Sequence, residues 1–260
     1  MRHLPAIVLV GSSLVACMNR GQGTNVDSAE SAVDSSDSVG SESDLLVATV
    51  DGSETTGALP ATGEQVAARI AANIATRWLG GCATVSATGG NVVVHYNDCT
   101  GPRGLIHVTG ELDLTISVDA SGTITVHATS SDLQVNRADL VIDATATYEV
   151  TGSEHTLTVS TNGSGTGPRG NAIEHQGNYT VEWDSTSMCG SLMGTWHTDL
   201  GALERANDVN LTRCVNACPS GTMTHHFLGG ASLTVTFDGT NVATWSASTG
   251  ASGTVNLLCQ

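Results

Sequence analysis

Glu111-Leu112-Asp113-Leu114-Thr115-Ile116-Ser117-Val118 alternates without a break: Leu112, Leu114, Ile116 and Val118 fall on one side, Glu111, Asp113, Thr115 and Ser117 on the other. Successive side chains of a strand point to opposite faces, so this is a strand with one apolar and one wet face. Asp119-Ala120-Ser121-Gly122 supplies turn residues, and Ile124, Val126 and Ala128 resume the pattern. Leu140 to Val150, Leu157 to Val159, Tyr179 to Trp183 and Leu233 to Phe237 repeat it. Period-two runs joined by short Gly/Asp/Asn links predict antiparallel strands in sequence order. The expectation is a mainly β domain, an antiparallel meander of about a dozen strands closed as a barrel or folded as a sandwich.

One helix precedes the strands. Val66, Ile70, Ile74 and Trp78 recur every four residues beside Ala67, Ala71 and Ala75, which makes one apolar stripe. Thr62 and Gln65 have capping-box spacing at its start, and Gly80-Gly81 follow its end. The polar face is short and not basic, so the helix is expected to pack on the sheet.

Upstream, Met1-Arg2-His3, the apolar run Leu4–Val10 and Gly11-Ser12-Ser13 have the order of an export signal. The run is too short to span a bilayer, which needs roughly 20 residues. Leu14-Val15-Ala16-Cys17 closes it as a lipobox, in which Cys17 receives the lipid. Residues 1–16 then read as a lipoprotein signal peptide, and several acyl chains on Cys17 give stable membrane anchoring. In familiar Gram-negative sorting an Asp after the lipidated Cys retains a protein in the inner membrane; Met18 in that place favours the outer membrane. Residues 17–57 are rich in Ser, Gly, Thr, Asp and Glu, with eight of the 25 acidic residues of the chain. That composition predicts a disordered tether, with a reach of roughly 35 Å. The β-rich domain is assigned to residues 58–260.

The 260-residue chain has no Lys and a net charge of −16. That balance argues against nucleic acid, which wants a basic footprint. Aromatic residues make up 3%, too few for the girdles of a transmembrane barrel. Seven Cys are resolved by the lipobox: Cys17 takes the lipid, and Cys82, Cys99, Cys189, Cys214, Cys218 and Cys259 remain for three disulfides in an oxidising compartment. Six Cys allow 15 pairings.

Thr100-Gly101-Pro102-Arg103-Gly104 recurs as Thr166-Gly167-Pro168-Arg169-Gly170, 66 residues later and again between alternating strands. Pro at the turn's second corner and a following Gly are β-turn chemistry, so a duplicated hairpin is expected. Cys82, the run Val92 to Gly104 with its Asp98-Cys99-Thr100-Gly101-Pro102 centre, Arg213-Cys214-Val215-Asn216-Ala217-Cys218-Pro219, Phe237-Asp238-Gly239 and the final Cys259 resemble β-rich predicted lipoproteins of Gram-negative bacteria. The resemblance covers about residues 60–260 and implies a fold but no activity. Cys82 and Cys99 flank a hairpin turning at Thr88-Gly89-Gly90-Asn91. Folding it back brings them together, which makes their bridge the first expected, worth about 3 kcal/mol.

Candidate chemistry is sparse. Arg103 and Arg169 at paired turns could grip an anion. A tight turn about Gly101 would set His95 opposite His107, both on the wet face, and in the second hairpin Thr161 opposite His175. Two His fall short of the three protein ligands of a catalytic zinc. Cys214 and Cys218 with His225-His226 have zinc-like spacing, but neighbouring strand residues point apart and disulfides compete for the Cys. Trp183, Trp196 and Trp245 could form a sugar platform, although Trp183 alternates with core positions. Glu111/Asp113 and Glu182/Asp184 are same-face acids of the kind common on wet strands. No Gly-x-Ser-x-Gly elbow occurs. No cofactor, metal or catalytic residue is therefore assigned. The expectation is a lipid-anchored envelope protein whose β-domain binds a protein or glycan partner or serves as structure. The alternatives are a carrier with an apolar ligand in a β-cavity, and an envelope hydrolase.

Overall fold

The computed structural model describes residues 26–51, 53, 62–78, 81–101, 106–184, 189–199, 204–214, 217–227 and 229–259. The lipobox, Cys17 and Arg103 lie outside them.

Among the described residues, fifteen strands form one antiparallel sheet. β1 (Ala83–Thr88), β2 (Asn91–Thr100), β3 (His107–Val118) and β4 (Ile124–Thr129) pair in order. After the short hairpin β5 (Leu133–Val135) and β6 (Ala138–Val141), the order continues through β7 (Asp143–Thr151), β8 (Glu154–Thr166), β9 (Ala172–Asp184), β10 (Cys189–Asp199) and β11 (Glu204–Cys214). It ends in β12 (Ser220–Phe227), β13 (Ser232–Asp238), β14 (Val242–Ala247) and β15 (Ser252–Asn256). This is the expected meander, with one local difference. The run Leu140 to Val150 is broken at Ile142, and β5–β6 form a side hairpin that pairs with β3 and β8. Within β3, Leu112, Leu114 and Ile116 are buried while Asp113, Thr115 and Ser117 are exposed, as the alternation requires.

Among the described residues two helices accompany the sheet, where the sequence reading expects one. α2 (Gly63–Arg77) is that one: Thr62 caps it, its hydroxyl accepting from the Gln65 N–H, and Val66, Ala67, Ile70 and Ile74 are buried. It packs on β1, β2 and β3. The other, α1 (Val26–Val50), corrects the disordered tether. Of its 25 residues, 17 are buried, so it is enclosed on nearly every side. It touches β5, β6, β9, β13 and β15 as well as α2. A single helix can meet strands from both halves of one sheet only if the sheet curls around it. The core is therefore a shell of inward Val, Leu, Ile and aromatic residues, with α1 inside. Composition misleads here because α1 has few large apolar residues. Ala29, Ala32, Val33, Val39, Leu46 and Val50 mark a sparse helical stripe, and buried Ser residues occupy the places between them.

Small residues make room where the shell is crowded. Tyr179 on β9 faces Gly194 on β10, and Gly177 faces Trp196. A Cβ at Gly177 would collide with the Trp196 Cα, and one at Gly194 would lie 2.5 Å from the Asn178 carbonyl oxygen.

Three disulfides close the molecule. Cys82–Cys99 forms as the hairpin reading expects, and Cys189–Cys214 and Cys218–Cys259 complete the set. The second joins directly paired residues of β10 and β11.

Candidate binding cavity between α1 and the shell

α1 is held in the shell by polar contacts that stand in for the apolar area it lacks. Near its start, the Asp34 carboxylate, fully buried, accepts from the Arg169 backbone N–H at 3.1 Å, from the Arg169 guanidinium at 3.1 Å and from the Asn171 amide at 2.7 Å. One turn on, Asp37 lies 3.4 Å from the same guanidinium, whose other nitrogen donates to the Asn256 carbonyl of β15 at 2.6 Å. Ser35 accepts from the Trp196 indole at 3.2 Å and shares a 2.9 Å bond with Thr198. Deeper in, Glu42, 1% exposed, accepts from the Tyr179 hydroxyl at 2.8 Å and from Thr161 at 3.1 Å, with His175 Nε2 at 3.2 Å. Asp44 pairs with Arg213 at 2.7 Å. Near the C-terminal end of the helix, Asp51 pairs with Arg77 of α2 at 3.3 Å.

Burial shifts two of these groups. The Asp37 carboxyl is pushed up to about 6 by loss of water, with the Arg169 charge opposing. The Tyr179 hydroxyl is held well above its ordinary value by burial and by the Glu42 carboxylate beside it.

On one side of α1 a cavity of about 380 Å³ remains between the helix and the ends of β9, β10 and β11. Val181, Trp183, Leu192 and Leu211 form the sheet wall; Ser36, Ser41 and Val47 are among the residues on the helix wall. Each acid in the lining faces an arginine: Asp37 faces Arg169, which it shares with Asp34, Asp44 faces Arg213, and Asp51 faces Arg77. Two N–H donors of lining residues, the Trp183 indole Nε1 and Arg213 Nε, are buried and have no partner among the described residues. Such donors cost about 1–3 kcal/mol each when nothing accepts from them. Trp183 is fixed by stacking on His155, ring centroids 5.1 Å apart, and His155 shares a 2.7 Å bond with the Tyr148 hydroxyl. At the rim stand His107, Asn136, Arg137 and Leu258.

Both copies of the repeated turn border this cavity, through Gly101 and Pro168. Each joins two antiparallel strands, β2 to β3 and β8 to β9. Arg169 does grip an anion, but the anion is the protein's own Asp34 with Asp37. His95 and His107 are not opposite each other, which corrects that expectation. His95 faces Glu111 and pairs with it at 2.7 Å, and His107 faces Thr100. The chain closes more widely than a turn about Gly101, with the Gly101 N–H on the Ile106 carbonyl, and β2 carries an irregularity between Tyr96 and Cys99 with Asp98 at φ 52°. In the second hairpin His175 faces Gly163, and Thr161 faces Gly177; both polar side chains point inward.

Other readings are replaced as well. Cys214 and Cys218 are in disulfides, so the zinc set with His225-His226 does not form. His225 is buried and His226 lies outside, paired with Asp208 at 2.8 Å, as neighbours on a strand should be. Among the described residues no three His, Cys, Asp or Glu are grouped to hold a metal. Trp183, Trp196 and Trp245 are all buried, which removes the exposed sugar platform. Sequence reasoning missed Asp37, Asp44, Arg137 and Arg213; none carries a local signal, because each gains meaning from the position of α1 in the shell. No helix of the described residues is long and apolar enough to cross a membrane.

Searches of protein-family models, of curated proteins and of solved structures each find no match to this chain.

Proposed function

We propose that this chain is a lipid-anchored protein of the cell envelope, of the outer membrane by its sorting residue, that works by binding a small amphiphilic molecule between α1 and strands β9–β11. The observation that carries the reading is the cavity itself: about 380 Å³, walled by Val181, Trp183, Leu192 and Leu211, with the polar side chains of Ser36, Ser41 and Asn136 also in its lining. Small-molecule sites fall in the range of roughly 300–1,000 Å³ and pair an apolar wall with a few placed polar groups. This favours the carrier alternative over a purely structural domain, with a ligand that is amphiphilic rather than wholly apolar. The anchor is supported by the lipobox and by cysteine arithmetic: of the seven Cys, only Cys17 lies outside the three disulfides.

The test fills the cavity from the helix side. Ala48 lines it and is only partly buried, so Ala48→Phe adds a ring where space exists. The full-length protein, purified without detergent and incubated with a membrane lipid extract, is expected to carry a small molecule in native mass spectrometry. Ala48→Phe should lose it while keeping the melting temperature. Retention of the molecule by the folded variant, or no bound molecule in the parent, would overturn the reading.

A further inference from the structure

The geometry points to a ligand of one class: an acyl amphiphile with a single anionic head, drawn from the bilayer to which the chain is tied. This rests on the cavity reading above and adds the head group and the source.

The head group follows from charge. The three acids of the lining each face an arginine, but Arg137 at the rim makes no ion pair among the described residues. Its place is built. Asn136 and Arg137 form the two-residue turn between β5 and β6, and Asn136 takes φ 57°, a conformation that few side chains other than Asn accept readily. The turn is fastened to β3 by two bonds, from the Asn136 N–H to the His107 carbonyl at 2.7 Å and from the His107 N–H to the Asn136 side chain at 3.0 Å. A chain of net charge −16 thus holds, at the mouth of an apolar-walled cavity, a cation with no ion pair among the described residues. Arg137 and the backbone of its turn are thus held in one place beside the apolar wall. The apolar part of the ligand meets Val181, Leu192 and Leu211.

The source follows from chain length. With α1 inside the shell, eight residues, Met18 to Asn25, separate the anchoring Cys17 from Val26. Fully extended they span at most about 29 Å. The start of α1, and through it the domain that holds the cavity, is therefore kept within that reach of a lipid surface. Both fatty acids and lysophospholipids from that surface share the required chemistry.

The experiment uses the full-length Cys17→Ala chain and three probes: dodecanoate, 1-dodecanoyl lysophosphatidylglycerol and neutral monododecanoylglycerol, each followed by calorimetry. At least one anionic probe is expected to bind about tenfold or more tightly than the neutral one, the size of a charge-assisted hydrogen bond. Which of the two anionic probes wins, and the mass of the molecule extracted from the lipidated protein, separates fatty acid from lysolipid. Arg137→Glu should remove the preference for the anionic probes. Equal binding of all three probes, or an unchanged preference in Arg137→Glu, overturns the head-group inference and leaves the cavity reading standing. If none of the probes binds and the lipidated protein yields no extracted amphiphile, both are overturned.

Discussion

Arg169 shows how much rests on one side chain. Its guanidinium and backbone N–H satisfy the buried Asp34, it faces Asp37, and it reaches the Asn256 carbonyl of β15. Removing one partner of a buried pair leaves an uncompensated charge, which costs about 3–5 kcal/mol. Arg169→Ala should lose that much in urea unfolding, while Asp34→Asn/Arg169→Met, which removes both charges, should lose clearly less. Asp37 makes a pH-dependent contribution. Its folded value of about 6 lies above the ordinary 3.8, so the native state binds the proton more tightly. The stability it contributes is complete below the ordinary value and is lost as pH rises through about 6. Asp37→Asn is therefore expected to gain on the parent between about pH 4 and pH 7. Unfolding midpoints at the two ends check this; a difference independent of pH would contradict it. The side chain is one-third exposed, so the effect is screened and modest.

At the scale of elements, α1 is the unusual one. It buries Asp34, Glu42 and six serines, and its tie to the shell is polar and specific. A free helix of this composition would not persist in water, since isolated helices are marginal and this one is rich in Ser and Asp. The helix therefore depends on the shell for its stability. Ser38, 1% exposed, sits mid-helix with its hydroxyl on the Asp34 carbonyl. Ser38→Pro should cost about 3 kcal/mol or more. Hydrogen exchange should then rise across Val26–Val50 first, with β2, β3 and β4 still protected. Uniform exchange across all strands would instead mean that shell and helix are one cooperative unit. The sequence was a good guide to α2, whose four-residue stripe and Thr62 cap are local. It was a poor guide to α1, because the partners of Asp34 and Glu42 lie more than 100 residues away at Arg169 and Tyr179. The same holds for the candidate site: the repeated turn was legible and borders the cavity, whereas Arg137, Arg213 and Asp44 became a site only through tertiary placement.

At the scale of the molecule, the enclosed helix changes what an anchor on Cys17 would do. Where the sequence reading expects a tether of some 40 residues, α1 occupies Val26–Val50, so an anchor on Cys17 would have eight residues between it and the helix. Globomycin treatment or Cys17→Ala is expected to leave unprocessed or unlipidated protein in fractionation. Normal release of processed protein from the Ala variant would remove the anchor from the account.

The order of strands, their wet and buried faces, the capped α2 and the bridge between Cys82 and Cys99 were determined by the sequence itself. Each depends on residues within one strand, one helix or one hairpin, where spacing along the chain is spacing in space. Tertiary structure alone decided that the sheet curls, that an acidic Ser-rich segment fills it, and that a cavity remains beside that segment. Those outcomes turn on carboxylates that are costly to bury alone and become stable only where distant Arg, Tyr, His and Asn side chains converge on them.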